Sequence, residues 1–301
     1  MFDILIKAGC YIAIILLGMA LRAIGFFKEE DFPVLSKLVV KVTLPAAIIS
    51  SAAGREVDPA MLYLALLGFG GGVIYMIIGF LLNRQNKASQ AFGLLNLPGY
   101  NIGTFALPFT QSFLGATGML TTSIFDVGNA FVCLGGAFGV ASVIKAGNGF
   151  DWKRIAKALG RSAPFLAYVI TMSMNLVRIP IPGFIASCAH IIAGGNAFLA
   201  MLMIGVGFKL DLQKEKLGLM ARMLLARYSV ATVLALAYYF LLPFDLEVRQ
   251  TLVILAFAPI GSAVPGFTSE LGGDVGLSCS INSMAIVISI VIIVTLLVVM
   301  L

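Results

Sequence analysis

Ten apolar runs fill almost the whole 301-residue chain, near residues 3–26, 33–53, 59–83, 89–114, 117–145, 162–178, 183–208, 219–242, 247–270 and 275–300. A hydrocarbon core about 30 Å thick takes roughly 20 apolar residues of helix to cross, so each run is read as one membrane passage. Only 11% of the residues are charged and mean hydropathy is +1.04, well outside the range of soluble domains. The expectation is an all-α integral membrane protein with ten transmembrane helices and short loops. The first run is as long as a full span and no small-residue cleavage site follows it, so it is expected to be the first helix and not a signal peptide.

The basic residues orient these spans. Placing the N-terminus outside sends fourteen of the twenty Lys and Arg residues to cytoplasmic loops and span ends, among them Arg22, Lys37, Arg84, Lys145, Arg154 and Lys209. Only Lys7, Arg55, Arg178 and Arg249 fall on the other side, and Lys41 and Arg227 lie inside spans. That imbalance puts both termini on the non-cytoplasmic side of a cytoplasmic (inner) membrane. It also explains the net charge of +6 without invoking nucleic acid, because the charges follow the loops and form no single patch. The four cysteines sit singly inside spans, so neither a disulfide framework nor a zinc site is expected.

The longest cytoplasmic loop, KAGNGFDWKRIAKALGRS at 145–162, divides the chain into a first five-span unit (1–145), an interfacial linker (146–161) and a second five-span unit (162–301). Five is odd, so the second unit enters the membrane from the opposite side, and any repeat between the two is inverted. NIGTFALPF at 101–109 echoes PIGSAVPGF at 259–267, and both fall in the fourth span of their unit. Pro108 and Pro265 each remove a backbone donor, with Gly103, Gly261 and Gly266 close by. Broken helices in matching spans point to a transporter site near the midplane, whereas simple proline kinks in packed helices are the plainer alternative.

The second half of each broken span would start near its proline, with free N–H groups and partial positive charge facing the centre. Such an end contributes about 0.3–1 kcal/mol to anion binding, up to ~2 when partly buried, against roughly 2.5–3.5 kcal/mol for a carboxylate placed in a span. An organic anion is therefore expected there, with Asn101, Thr104 and Ser262 as polar contacts. Asn96 is assigned to freed backbone groups instead.

Asp126 is the only acidic residue well inside a span, and Thr122, Ser123, Asn129 and Cys133 share its helical face. It is either a proton carrier, a cation ligand or a gate, with Asn129 beside it, or an acid tied to a neighbouring helix. Lys41 is expected to snorkel to the interface or pair with an acid. His190 has no metal-ligand partner three or four residues away and is assigned to packing or an interhelical bond. Asn196, in the Gly-rich AGGNAF, and Asn282 are candidate supporting polar residues. No cofactor or metal is expected beyond coupling by H⁺ or Na⁺. Catalysis is not expected: GFGGG at 68–72 lacks the strand–helix setting of a nucleotide fingerprint, no GxSxG elbow occurs, and no catalytic triad or paired aspartates are evident.

TLPAAIISS in the second span, NLPGYNIGTFALPF in the fourth and LAFAPIGSAVPGFTSELGGD in the ninth make the chain resemble the auxin efflux carrier family, bacterial type, within the bile acid/arsenite/riboflavin transporter group. The resemblance implies two inverted five-helix repeats with crossed, discontinuous helices 4 and 9, as in sodium/proton antiporters, and a scaffold moving against a core. It puts Pro108 and Pro265 at the crossing and Asn101 at the substrate-contacting asparagine. The second-half counterpart of that asparagine is replaced by Pro259-Ile260-Gly261-Ser262. The expected activity is secondary transport of a carboxylate or dicarboxylate, such as malate or malonate, by alternating access. A proton- or sodium-coupled symporter or antiporter using Asp126 is the alternative, and a homodimer in the bilayer is the expected assembly. A membrane sensor or structural partner is the non-transport alternative, with no soluble output domain in the sequence to support it.

Overall fold

The computed structural model describes residues 2–53, 59–147, 149–210 and 213–301; Arg55, counted above on the sparsely charged side, lies outside them. Every regular element among the described residues is a helix, with no strand. Sixteen α-helices run in chain order: α1 (Phe2–Ala23), α2 (Phe32–Leu38), α3 (Leu44–Ala52), α4 (Tyr63–Leu82), α5 (Lys87–Asn96), α6 (Leu107–Phe113), α7 (Gly115–Phe131), α8 (Ala137–Ala146), α9 (Trp152–Arg161), α10 (Ala163–Leu176), α11 (Gly183–Ala193), α12 (Asn196–Gly207), α13 (Lys214–Leu241), α14 (Leu246–Ala256), α15 (Val264–Glu270) and α16 (Val275–Met300).

Among the described residues, seven continuous helical stretches are long and apolar enough to cross a membrane: Ile4–Ala23, Phe32–Ala52, Tyr63–Leu82, Gly115–Ala146, Gly183–Gly207, Lys214–Leu241 and Val275–Met300. The run at 162–178 forms the shorter α10. The runs at 89–114 and 247–270 are the two whose helices are interrupted, α5 from α6 and α14 from α15.

Local chemistry sets many of the boundaries. Side chains of Asn86, Asp151, Ser162 and Asp274 accept the backbone N–H three residues on, capping α5, α9, α10 and α16. Prolines open α2, α3, α6, α10 and α15 at their first or second position, where a missing N–H costs nothing. π-helical turns at Val39–Thr43 and Ile102–Ala106 each run straight into a Leu-Pro pair, Leu44-Pro45 and Leu107-Pro108. The wider turn makes room for a ring that would otherwise press on the preceding carbonyl.

The helices pack in two groups. In the first, α1 lies along α12, and α3 is held by α10 and α11. In the second, α4 packs on α5 and α7, α5 on α8 and α15, and α13 on α14 and α16. Close approach is bought with missing side chains: a Cβ on Gly128 of α7 would stand 1.7 Å from the Ala65 carbonyl oxygen of α4. The linker helix α9 buries Ile155 and Leu159, four residues apart, while Lys153, Lys157 and Arg161 face outward. Arg154 clamps Glu270 at the end of α15 with two 2.8 Å bonds and lies 3.7 Å over the Phe138 ring.

Candidate functional site

The interruptions in the two broken runs meet. Residues 97–101 leave α5 in an irregular path, residues 257–263 do the same after α14, and the Asn101 N–H donates to the Pro259 carbonyl at 2.8 Å. Unpaired backbone is not tolerated in hydrocarbon, so each freed group needs a partner. Arg227, at the middle of α13 and only 1% exposed, donates to the carbonyls of Leu97 at 2.5 Å, Gly99 at 2.9 Å and Ala258 at 2.8 Å. One guanidinium thus serves both breaks, at the ends of α5 and α14 where the helix dipoles are negative. It stacks 4.8 Å from the Tyr75 ring centre.

Asn129 on α7 performs the complementary task. Its amide oxygen accepts from the Tyr100 N–H at 3.0 Å and its Nδ2 donates to the Tyr100 carbonyl at 2.9 Å, replacing the pairing a helix would have given that peptide. The Ser289 hydroxyl donates to the Phe257 carbonyl at 2.6 Å. Gly99 adopts φ +78°, and a Cβ there would meet the Cys133 sulfur at 2.5 Å, so a side chain is excluded twice over.

A cavity of about 830 Å³ reaches the crossing from one face of the molecule, between the two helix groups. Arg22, Lys37, Lys41 and Lys209 stand in its wall, and among the described residues Asp126 is its single carboxylate. Asn101, Gly103, Thr104, Gly261, Ser262, Pro265, Asp126, Asn129, Lys41 and Asn282 all line it. The Thr104 hydroxyl donates to the Asn101 amide oxygen. The Asn282 Oδ1 is buried and has no hydrogen-bond partner in the structure.

Two of the residues singled out in the sequence stand apart from this cavity. Pro108 does not begin the second half of its run: that half starts with the π turn at Ile102, and Pro98 occupies the break. Pro108 is the second residue of α6, buried, with its carbonyl accepting the Tyr11 hydroxyl at 3.1 Å. The break is decided by the Pro98-Gly99 pair and its external partners, and the π turn absorbs Pro108 without another interruption. Asn196 is fully buried at the start of α12, where its Oδ1 accepts the Thr43 hydroxyl at 2.9 Å within the first helix group. Pro265, by contrast, follows its break directly, as the second residue of α15.

Asp126 is held on both oxygens, by Asn129 Nδ2 at 2.8 Å and by the Tyr168 hydroxyl of α10 at 3.0 Å. Of the polar residues on its face, Asn129 and Cys133 converge on the crossing, the Cys133 thiol donating to Asn129 Oδ1 at 3.2 Å. The Thr122 hydroxyl donates instead to Thr110 at 3.0 Å, and Ser123 to its own helix. Asn96 joins a buried ring with Thr268 and Ser278, which ties α5, α15 and α16 together. His190 contacts Ser50 at 3.4 Å within the first group. Sequence reasoning left Arg227 without a role and did not single out Tyr168, Tyr100 or Pro98. A cation in mid-span was the available signal for Arg227 and the Pro98-Gly99 pair for Pro98; nothing local marks the two tyrosines.

Residues 10–143 match the family described as Membrane transport protein. A protein of Methanothermobacter thermautotrophicus described as an uncharacterized transporter is 24% identical over 202 residues, which cover 65% of this chain and 65% of that relative, just under two thirds of its length. The resemblance drawn from the motifs and these matches agree on transport and give no support to catalysis. With seven helices among the described residues long and apolar enough to cross a bilayer, the chain is a multi-pass membrane protein similar to membrane transporters.

Proposed function

We propose that the chain is a secondary transporter that moves a small organic anion by alternating access, binding it where the two interrupted runs cross. The observation that carries this reading is the crossing itself, joined by the Asn101–Pro259 backbone bond and lying in a cavity to whose wall the described residues bring four cationic side chains and one carboxylate. Arg227 occupies the carbonyl ends of the first half-helices, so the N–H ends of the second halves are left to the cavity. In the half-helix that starts at Ile102, the N–H groups of Gly103 and Thr104 have no intrahelical acceptor by geometry. Asn101, Ser262 and the unpaired Asn282 supply side-chain polarity. Carboxylates and dicarboxylates such as malate or malonate fit this chemistry.

The ten-span, inverted-repeat architecture belongs to the same proposal. The first helix group takes spans 1, 2, 6 and 7 and the second takes 3, 4, 5, 8, 9 and 10, so each group holds equivalent spans of both five-span units. The cavity opens on the basic face, which the charge bias assigns to the cytoplasm, with both termini outside. Binding of malonate and malate to the purified protein, followed by thermal shift, tests the site. Asn101→Ala and Ser262→Ala should abolish the shift while leaving the unliganded transition unchanged; a full shift in both removes the crossing from consideration.

A second reading, coupling to a proton or sodium through Asp126, is favoured by its being the single carboxylate that the described residues bring to the cavity wall. Uptake by Asp126→Asn should lose its dependence on proton and sodium gradients. Wild-type gradient dependence in that variant excludes the role.

A further inference from the structure

The two helix groups are closed against each other on the face opposite the basic mouth, and the closure is thin. A small apolar seam joins Leu44, Ala47 and Ile48 of α3 and Ala167 of α10 to Leu107 and Val127 of the second group. Beyond it lies a gap of only about 20 Å³, lined by Ser51, Ser123, Thr171 and Asn175. Three of these polar side chains, on Ser51, Ser123 and Thr171, bond to carbonyls of their own helices, and Asn175 bonds to Ala52 within the first group. None of the four bridges the groups.

Two tyrosines do. Tyr168, buried on α10, stands in the wall of both the large cavity and the small gap, and its hydroxyl donates to Asp126 Oδ2 at 3.0 Å. Tyr11 on α1 reaches the Pro108 carbonyl at 3.1 Å and Ser112 on α6. A further polar contact between the groups, Lys209 N–H to Ser283 Oγ at 3.1 Å, lies at the open, basic side.

We propose that the Tyr168–Asp126 hydrogen bond is the gate on the closed face, with Tyr11 as a second clasp, and that it breaks when the site turns to that face. This rests on the alternating-access reading above. Ring and seam exclude solvent, while the hydroxyl bond sets how readily the groups part. Removing it leaves the apolar plug but shifts the balance between the two states; a net hydrogen bond of about 1–1.5 kcal/mol corresponds to roughly five- to tenfold.

Single-cysteine proteins in vesicles test this with a membrane-impermeant maleimide and no substrate. Ser123→Cys reports the gap from the closed face, and native Cys133 reports the cavity from the basic face. Tyr168→Phe should speed Ser123→Cys labelling about five- to tenfold and slow Cys133 labelling, with Tyr11→Phe acting in the same direction. Asp126→Ala removes the acceptor and should act in the same direction as Tyr168→Phe. Faster labelling at both reporters signals general loosening and overturns the gate, as do unchanged rates in Tyr168→Phe or in Asp126→Ala. If Ser123→Cys is never labelled in wild type or any variant, alternating access itself fails, a result distinct from failure of the gate.

Discussion

Arg227 shows what a single side chain decides in this protein. Three backbone carbonyls from two different interruptions converge on it, and no other described side chain reaches them. Removing a buried charge partner of this kind costs on the order of 3–5 kcal/mol, because the groups left behind stay buried and unpaired. Arg227→Gln should therefore lower the thermal transition in detergent sharply. Arg227→Lys keeps the charge but loses the planar fork and should fall between that variant and wild type. A wild-type transition in Arg227→Gln removes it as the keystone of the crossing. Asn129 is a gentler case: Asn129→Leu leaves the Tyr100 N–H without its acceptor, at about 1–3 kcal/mol for an unsatisfied buried group, whereas the Tyr100 carbonyl keeps the Ile102 N–H at 2.9 Å, and the loss should appear in the same measurement.

At the scale of elements, spacing and packing do the work. A Cβ on Gly128 cannot be housed without moving α7 off α4, since the obstacle is the Ala65 backbone and not a movable side-chain tip. Gly128→Val should reduce the yield of folded protein by more than Gly9→Val, where a Cβ would meet nothing within 4 Å; equal yields would count against the tight α4–α7 contact. The linker helix offers a built-in reporter, because Trp152 is the chain's single tryptophan and stands exposed at the start of α9. Glu270→Gln should change Trp152 emission by releasing Arg154, yet leave the thermal transition nearly unmoved, since both partners are half exposed and such pairs contribute on the order of 0–1 kcal/mol. Unchanged emission would show that other contacts hold α9 in place.

For the whole molecule, the two helix groups cut across the two halves of the sequence. Residues 1–145 contribute the Asn101 side of the crossing but neither Pro259 nor Arg227. Expressed alone, that half should be degraded, and co-expression with 146–301 should restore protein that survives extraction; a stable isolated half would contradict the shared core. The same interleaving explains what was legible beforehand. Ten apolar runs, the prolines and glycines of NLPGYNIGTFALPF and its echo, and the lone intramembrane Asp126 are local signals, and most of the candidate site residues named through them line the cavity. Pro108 was misplaced because proline marks a tendency to interrupt, and the π turn before it absorbs that tendency. Tyr168 was missed because a tyrosine in an apolar run carries no mark of what its hydroxyl meets.

By itself, the amino-acid order determined that the chain lives in a membrane as helices and which two runs cannot be continuous. Those properties follow from transfer free energy and from backbone donors removed within one segment. Only the tertiary structure decided that the two interruptions cross, that Arg227 and Asn129 complete their hydrogen bonding, and that Tyr168 closes on Asp126. Each of those is a pairing between residues roughly thirty to a hundred and sixty positions apart, and a backbone group freed by a local break leaves no trace in the sequence of where its partner lies.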